Sequence, residues 1–203
     1  MTLFTYDTIQ SLDKRKRANL INAIGGYKSA NVVGSINTDN QTNLAVFSSV
    51  VHLGADPALI GLVSRPHVVP RHTLENIESV GTFTINHISL DFYKQAHLSS
   101  ARTDSSEFDL TGLTPQFIDS IPAPFVAEAE VKIGLNWVRT IPITENNTQF
   151  IIGAIQTIDI PESAILDNGD INYDVLNTVA VTGLYTYHRA QQLETLPYAK
   201  APS

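Results

Sequence analysis

Between Arg65 and Thr73 stand Arg65, His67, Arg71 and His72 without a single acid, in a chain whose net charge is −7. The segment Arg65-Pro-His-Val-Val-Pro-Arg-His-Thr73 runs straight into a helix predicted over Thr73–Val80, with Thr73 in capping position and Gly81 after its end. A helix start presents unpaired backbone N–H groups, while arginine adds a charged fork and threonine a hydroxyl. Such an arrangement suits a phosphate. A basic loop before a helix is more often merely solvated, so its surroundings have to decide.

Other chemistries are harder to seat in this chain. A Gly-x-Ser-x-Gly elbow is absent, and Ser48-Ser49 falls inside a predicted strand. There is no P-loop and no Gly-x-Gly-x-x-Gly, and strand–helix alternation is too sparse for a doubly wound parallel sheet. The six histidines (His52, His67, His72, His87, His97 and His188) form no His-x-x-x-His or His-Glu-x-x-His pair, which favours core or surface roles over metal ligation. Asp167-Asn-Gly-Asp170 is a tight turn without the remaining spacing of a calcium loop. With no cysteine there are no disulfides and no thiolate chemistry, which fits a reducing compartment. The acidic balance argues against nucleic acid or an anionic membrane as partner. The one basic run, Lys14-Arg15-Lys16-Arg17, reads as the solvated face of a helix.

The elements that must position these residues are mostly strands. A helix is predicted over Thr8–Ile24, with Asp7 or Thr8 as cap, Ile9, Leu12, Leu20 and Ile24 at helical spacing, and Gly25-Gly26 as its end. Ser29–Ile36, Leu44–Leu53 and Leu59–Val63 are short Val- and Ile-rich strands, separated by the turns Asn37–Gln41 and Gly54–Pro57. Thr82–Ile88 alternates cleanly, and so does Val126–Ile133. Leu135–Ile143 and Thr148–Ile160 form a hairpin around Thr144–Asn147. The polar stretch Ser99–Ser120 reads as a surface excursion or lid, and Val175–Leu193 is open between strand and helix.

With 203 residues and 43% apolar content, one domain over 1–203 is expected, its barrel at about 28–190. Charged residues make up only 16%, against roughly 25% in an average soluble domain, so part of the surface is expected to be covered by a partner subunit. No apolar run approaches the ~20 residues a bilayer span needs. Met1-Thr-Leu-Phe-Thr-Tyr-Asp7 has no basic segment followed by an apolar one, so a cytoplasmic location is the expectation.

Feature order adds a second line of inference. Arg17-Ala-Asn-Leu-Ile-Asn22 comes first, then Gly34-Ser-Ile-Asn-Thr-Asp-Asn-Gln-Thr-Asn-Leu-Ala-Val-Phe-Ser-Ser49. Ala58-Leu-Ile-Gly-Leu-Val63, Arg71-His-Thr-Leu-Glu-Asn-Ile77 and Gly81-Thr-Phe-Thr-Ile-Asn86 follow, and Leu196-Pro-Tyr-Ala-Lys200 closes the chain. This order resembles the flavin reductase-like family of FMN-binding split barrels, most strongly over residues 17–90. Three positions depart from that family's pattern. Val46 replaces a frequent Pro, Arg71-His72 replaces Lys-Asp, and Val181-Thr-Gly-Leu184 replaces Arg-Leu-Gly-Gly.

The resemblance implies a mainly β fold, an antiparallel, Greek-key-like split barrel with a few flanking helices, built as a homodimer. It implies FMN as cofactor and NAD(P)H as electron donor, with hydride transfer from NAD(P)H to flavin and reduced flavin supplied to a separate oxygenase as one use. A non-catalytic FMN-binding protein, for storage or redox sensing, is the alternative. Carried onto matching positions, Arg71, His72 and Thr73 hold the FMN phosphate, and Asn43, Ala45, Ser48 and Ser49 line the ring system. Asn86 is a further candidate contact, and Trp137, Tyr185, Tyr187 and His188 are aromatic candidates for stacking. No catalytic acid or base is assigned, because a flavin carries this chemistry itself.

Overall fold

The computed structural model describes residues 1–66, 71–103 and 105–201. Two short helices open the chain, α1 (Tyr6–Ser11) and α2 (Lys14–Ala23), where periodicity predicts one. Leu12 takes an extended conformation (φ −62°, ψ 144°), and the Asp13 carboxylate then caps α2 by accepting the Arg15 and Lys16 N–H groups at 3.0 Å. Neither helix buries a residue.

After the two-residue β1 (Lys28–Ser29) come β2 (Asn31–Ile36), β3 (Thr42–Phe47), β4 (Val50–Ala55) and β5 (Ala58–Ser64). The expected strand Leu44–Leu53 thus breaks at Ser48-Ser49 into two. Helix α3 (His72–Val80) ends at Gly81, whose φ of 79° suits glycine, and leads into β6 (Thr82–His87). Next are α4 (Tyr93–Leu98), α5 (Glu107–Thr111), β7 (Pro115–Ile118), β8 (Ile121–Val126), β9 (Lys132–Ile143) and β10 (Thr148–Asp159). Finally β11 (Val179–Thr182) and β12 (Thr186–Arg189) form a small sheet with β1.

The main sheet has the order β3-β2-β6-β9-β10-β5-β4, antiparallel throughout. Laid flat, seven strands at ~4.8 Å spacing would hold their edges about 29 Å apart. Yet β3 and β4, the two edges, are joined through Ser48-Ser49 alone. Three Cα–Cα steps reach about 11 Å at most. The sheet must therefore curl until its edges nearly meet, which gives a barrel split between β3 and β4.

Inside the curl lie Val33, Ile60, Leu62, Phe83, Ile85, Leu135 and Ile151, joined by Leu74 and Ile77 of α3. On the outer face of β2 and β3, a second core gathers Val32 and Leu44 with Ala96, Phe108, Leu113, Val179 and Val181. Here the structure corrects the reading of Ser99–Ser120. Its polar composition hides two anchors, Phe108 and Leu113, so α5 is built in rather than free, and β7 pairs with β8. The alternation of Val126–Ile133 also misleads. Ala129 N–H bonds back to the Val126 carbonyl, making a turn that buries Ala129 and Val131 without a strand.

At one end of the sheet His87 stacks on Tyr173, with ring centroids 6.1 Å apart and planes 12° apart. Burial lowers the His87 pKa from 6.5 to about 4. The unfolded chain therefore takes up a proton at this site before the folded one does. Folding stability is unaffected by His87 above about pH 6.5 and is eroded as pH falls from 6.5 to about 4. The full effect is on the order of 3 kcal/mol. Urea midpoints at pH 7.5 and pH 4.5 are expected to differ less in His87→Gln than in the wild type; equal differences would remove His87 from the account.

Candidate functional site

Strand β3 is an open edge, and its backbone follows from the ladder. Its register pairs Ser35 with Asn43, Gly34 with Leu44, Val33 with Ala45 and Val32 with Val46. The Leu44 N–H points away from β2 and donates to a Glu107 carboxylate oxygen of α5 at 3.3 Å. The Thr42 and Ser106 hydroxyls lie 3.4 Å apart beside it. Antiparallel alternation then turns the Val46 N–H and C=O to the same open side. A proline at position 46 would have no N–H to offer there.

The inner face of β3 carries Asn43, buried, and Ala45, half-buried. Ser48 bends at the strand's end and is also half-buried. Ser49 extends the β4–β5 ladder with its side chain, donating to the Val63 carbonyl at 2.9 Å and accepting the Val63 N–H at 3.1 Å. Its hydroxyl proton is thus already used within the fold.

Helix α3 begins at the far side of this face. Arg71 is its N-cap (φ −123°, ψ 75°) and makes no side-chain capping bond. Thr73 is therefore not the cap but the second helical residue, turned inward and only 8% exposed. His72 is exposed. The Arg71 N–H donates to Glu75 Oε1 at 3.1 Å, and its Nε donates to the Pro66 carbonyl at 3.2 Å. One buried amide joins helix and strand. Asn43 Nδ2 donates to Thr73 Oγ1 at 3.0 Å and to Ser35 Oγ at 3.1 Å. Asn76 Nδ2 donates to the same Ser35 Oγ at 3.2 Å. Of the basic segment, His67 lies outside the described residues.

The structure therefore brings Asn43, Ala45, Arg71, His72 and Thr73 into one neighbourhood, with Ser48 and Ser49 at the end of the same strand. It does not bring in Asn86. That side chain is fully buried; its Nδ2 donates to the Val32 carbonyl (3.2 Å) and Thr84 Oγ1 (3.0 Å), and its Oδ1 accepts the Val126 N–H (3.0 Å). Together with the bond from Thr84 Oγ1 to the Pro124 carbonyl at 2.6 Å, it staples β8 onto the barrel. The expectation that Asn86 is a further cofactor contact is corrected accordingly: its polar atoms bond within the fold.

The aromatic candidates also lie elsewhere. The Trp137 N–H donates to the Gly81 carbonyl at 2.8 Å, so Trp137 sits at the opposite end of α3 from Arg71. Tyr185, Tyr187 and His188 belong to the small sheet, where Tyr185 and Tyr187 meet His97 of α4 and His188 meets Tyr27. Burial raises the Tyr187 pKa, and its hydroxyl lies 3.2 Å from His97 Nδ1. Sequence reasoning missed Ser35 and Glu107. Ser35 is the register partner of Asn43, a relation visible only once β2 and β3 pair.

A family model for the flavin reductase like domain matches residues 27–185. The chain belongs to this family. It is 42% identical, with a TM-score of 0.94, to a protein of Shewanella frigidimarina NCIMB 400 provisionally assigned as a flavin reductase with split barrel domain; 98% of this chain and 100% of that one are covered. Nitrilotriacetate monooxygenase component B from Bacillus cereus shares the fold at 20% identity and a TM-score of 0.85, covering 97% of this chain and 98% of its own. Flavoredoxin of Desulfovibrio vulgaris (Miyazaki F) does so at 21% identity and 0.74, covering 86% and 92%.

The residues present fit a flavin nucleotide. A helix start whose N-cap, Arg71, makes no side-chain capping bond, with a cation and a buried hydroxyl, meets the needs of a phosphate. An open strand edge with N–H and C=O groups meets those of a ring that hydrogen-bonds along its rim. The departure at Val181–Leu184 covers the end of β11 and the β11–β12 turn, where Gly183 has φ 59°, on the small sheet.

Proposed function

We propose that this chain is an FMN-dependent oxidoreductase that passes a hydride from NAD(P)H to flavin, with delivery of reduced flavin to a separate oxygenase as one outlet. The observation that supports it most is the 3.0 Å bond from Asn43 to Thr73, which seats an open sheet edge against the start of α3. FMN has two matching parts, a ring with a hydrogen-bonding rim and a phosphate. Arg71, His72, Thr73 and the first N–H groups of α3 hold the phosphate. Asn43, Ala45, Ser48 and the outward backbone of β3 hold the ring. Ser49 and Asn86 act from behind, as parts of the scaffold. When bound, FMN supplies the two-electron chemistry. The chain's own residues bind it, orient it and limit its exposure to water. The likeness to a monooxygenase component B supports the outlet named above.

The functional unit in this reading is a homodimer. Val51 and Leu53 on β4 and Val138 and Ile141 on β9 are each more than a third exposed, and α1 and α2 bury nothing within one chain. Sedimentation at micromolar concentration is expected to give about twice the 22.2 kDa chain mass, and a monomer would count against it.

The reaction is tested by steady-state oxidation of NADH and NADPH with FMN present. Saturable oxidation of either supports the reductase; tight FMN binding without it points to storage or sensing. The phosphate assignment has its own test. A charge-assisted hydrogen bond contributes roughly 1.5–3 kcal/mol, so Arg71→Ala is expected to weaken FMN about 10- to 150-fold. Riboflavin, which has no phosphate, should bind nearly as before. Equal losses for both ligands, or none for either, would remove Arg71 from the site.

A further inference from the structure

The Thr73 hydroxyl carries one proton and two acceptor positions. One acceptor position is filled by Asn43 Nδ2, and among the described residues no group accepts the Thr73 proton. Thr73 is 8% exposed, so that proton has few places to go other than a ligand at the start of α3. Asn43 also donates to Ser35, which is fully buried on β2. The Ser35 oxygen accepts one N–H from Asn43 and one from Asn76, at 3.1 and 3.2 Å. Asn76 lies one helical turn after Thr73, so the same oxygen also fixes how α3 sits on the sheet.

We propose that Ser35 is a positioning residue for phosphate recognition: by accepting from both Asn43 and Asn76 it holds Asn43 as the donor to Thr73, which leaves the Thr73 hydroxyl as a donor to the ligand's phosphate. The inference rests on the phosphate site proposed above. Ser35 touches no ligand. An alanine there removes the shared acceptor, and the Asn43 amide then swings or turns over. With its oxygen toward Thr73, Asn43 would take the proton that otherwise serves the phosphate.

The test is a double-mutant cycle on Ser35 and Thr73, read by titrating FMN and riboflavin separately by flavin fluorescence. Thr73→Val is expected to weaken FMN and spare riboflavin. Ser35→Ala is expected to weaken FMN roughly 3- to 10-fold, the value of one hydrogen bond, with riboflavin within about twofold. Combined with Thr73→Val, it should cost FMN nothing further. Should Ser35→Ala fail to fold, the nearly isosteric Ser35→Cys, a weak acceptor, is expected to show the same pattern.

An unchanged FMN affinity in the Ser35 variant, an equal loss for both flavins, or full additivity with Thr73→Val would overturn the proposal while leaving the phosphate site standing. No FMN-selective loss in Thr73→Val itself would overturn the site, and the proposal with it.

Discussion

A two-residue connection governs the architecture. Ser48-Ser49 links the two outer strands of a seven-stranded sheet, and so short a link forces the sheet to close on itself. Closure is incomplete because β3 and β4 do not pair with each other. An unpaired edge is usually a liability, open to pairing with another chain. In this protein it is partly guarded by Glu107, which takes the Leu44 N–H, while the next outward groups, at Val46, stay on the open side. The same closure sets the end of β5 against the end of β3 through Ser49 and Val63.

The second determinant is polar and buried. Ser35, Asn43, Thr73 and Asn76, none more than 8% exposed, occupy the junction between α3 and the sheet. An apolar cluster of similar volume would pack there without needing partners, whereas each buried polar atom costs about 1–3 kcal/mol if left unpaired. The apolar side of α3, Leu74 and Ile77, already supplies the burial that holds the helix down. The amides and hydroxyls add direction. They fix which groups at the helix start face outward, and that is what the proposed phosphate site requires.

Much of this was legible in the sequence, and the limits are physical. Strand alternation and turn chemistry locate most of the barrel strands, and the order of features points to the family whose model matches residues 27–185. Thr73 was readable as important but not as inward-facing, because its role depends on Asn43, 30 residues away. Alternation left Asn86 a candidate contact, because its partners, Val32 and Val126, are distant in the chain. Ser99–Ser120 read as loose because local composition cannot show that Phe108 and Leu113 reach a core built by β2, β3 and β11. The break at Leu12-Asp13 escaped for a different reason. One carboxylate capping two N–H groups outweighs a weak apolar periodicity that buries nothing.

In the proposed reading one ligand spans the open edge of β3 and the start of α3. Amide hydrogen exchange, measured on the intact protein with and without saturating FMN, addresses it most directly. Exchange is expected to slow in Thr42–Ser49 and His72–Asn76 together, with Val179–Arg189 of the small sheet unchanged. Slowing confined to the small sheet, or to only one of the first two segments, would contradict the account.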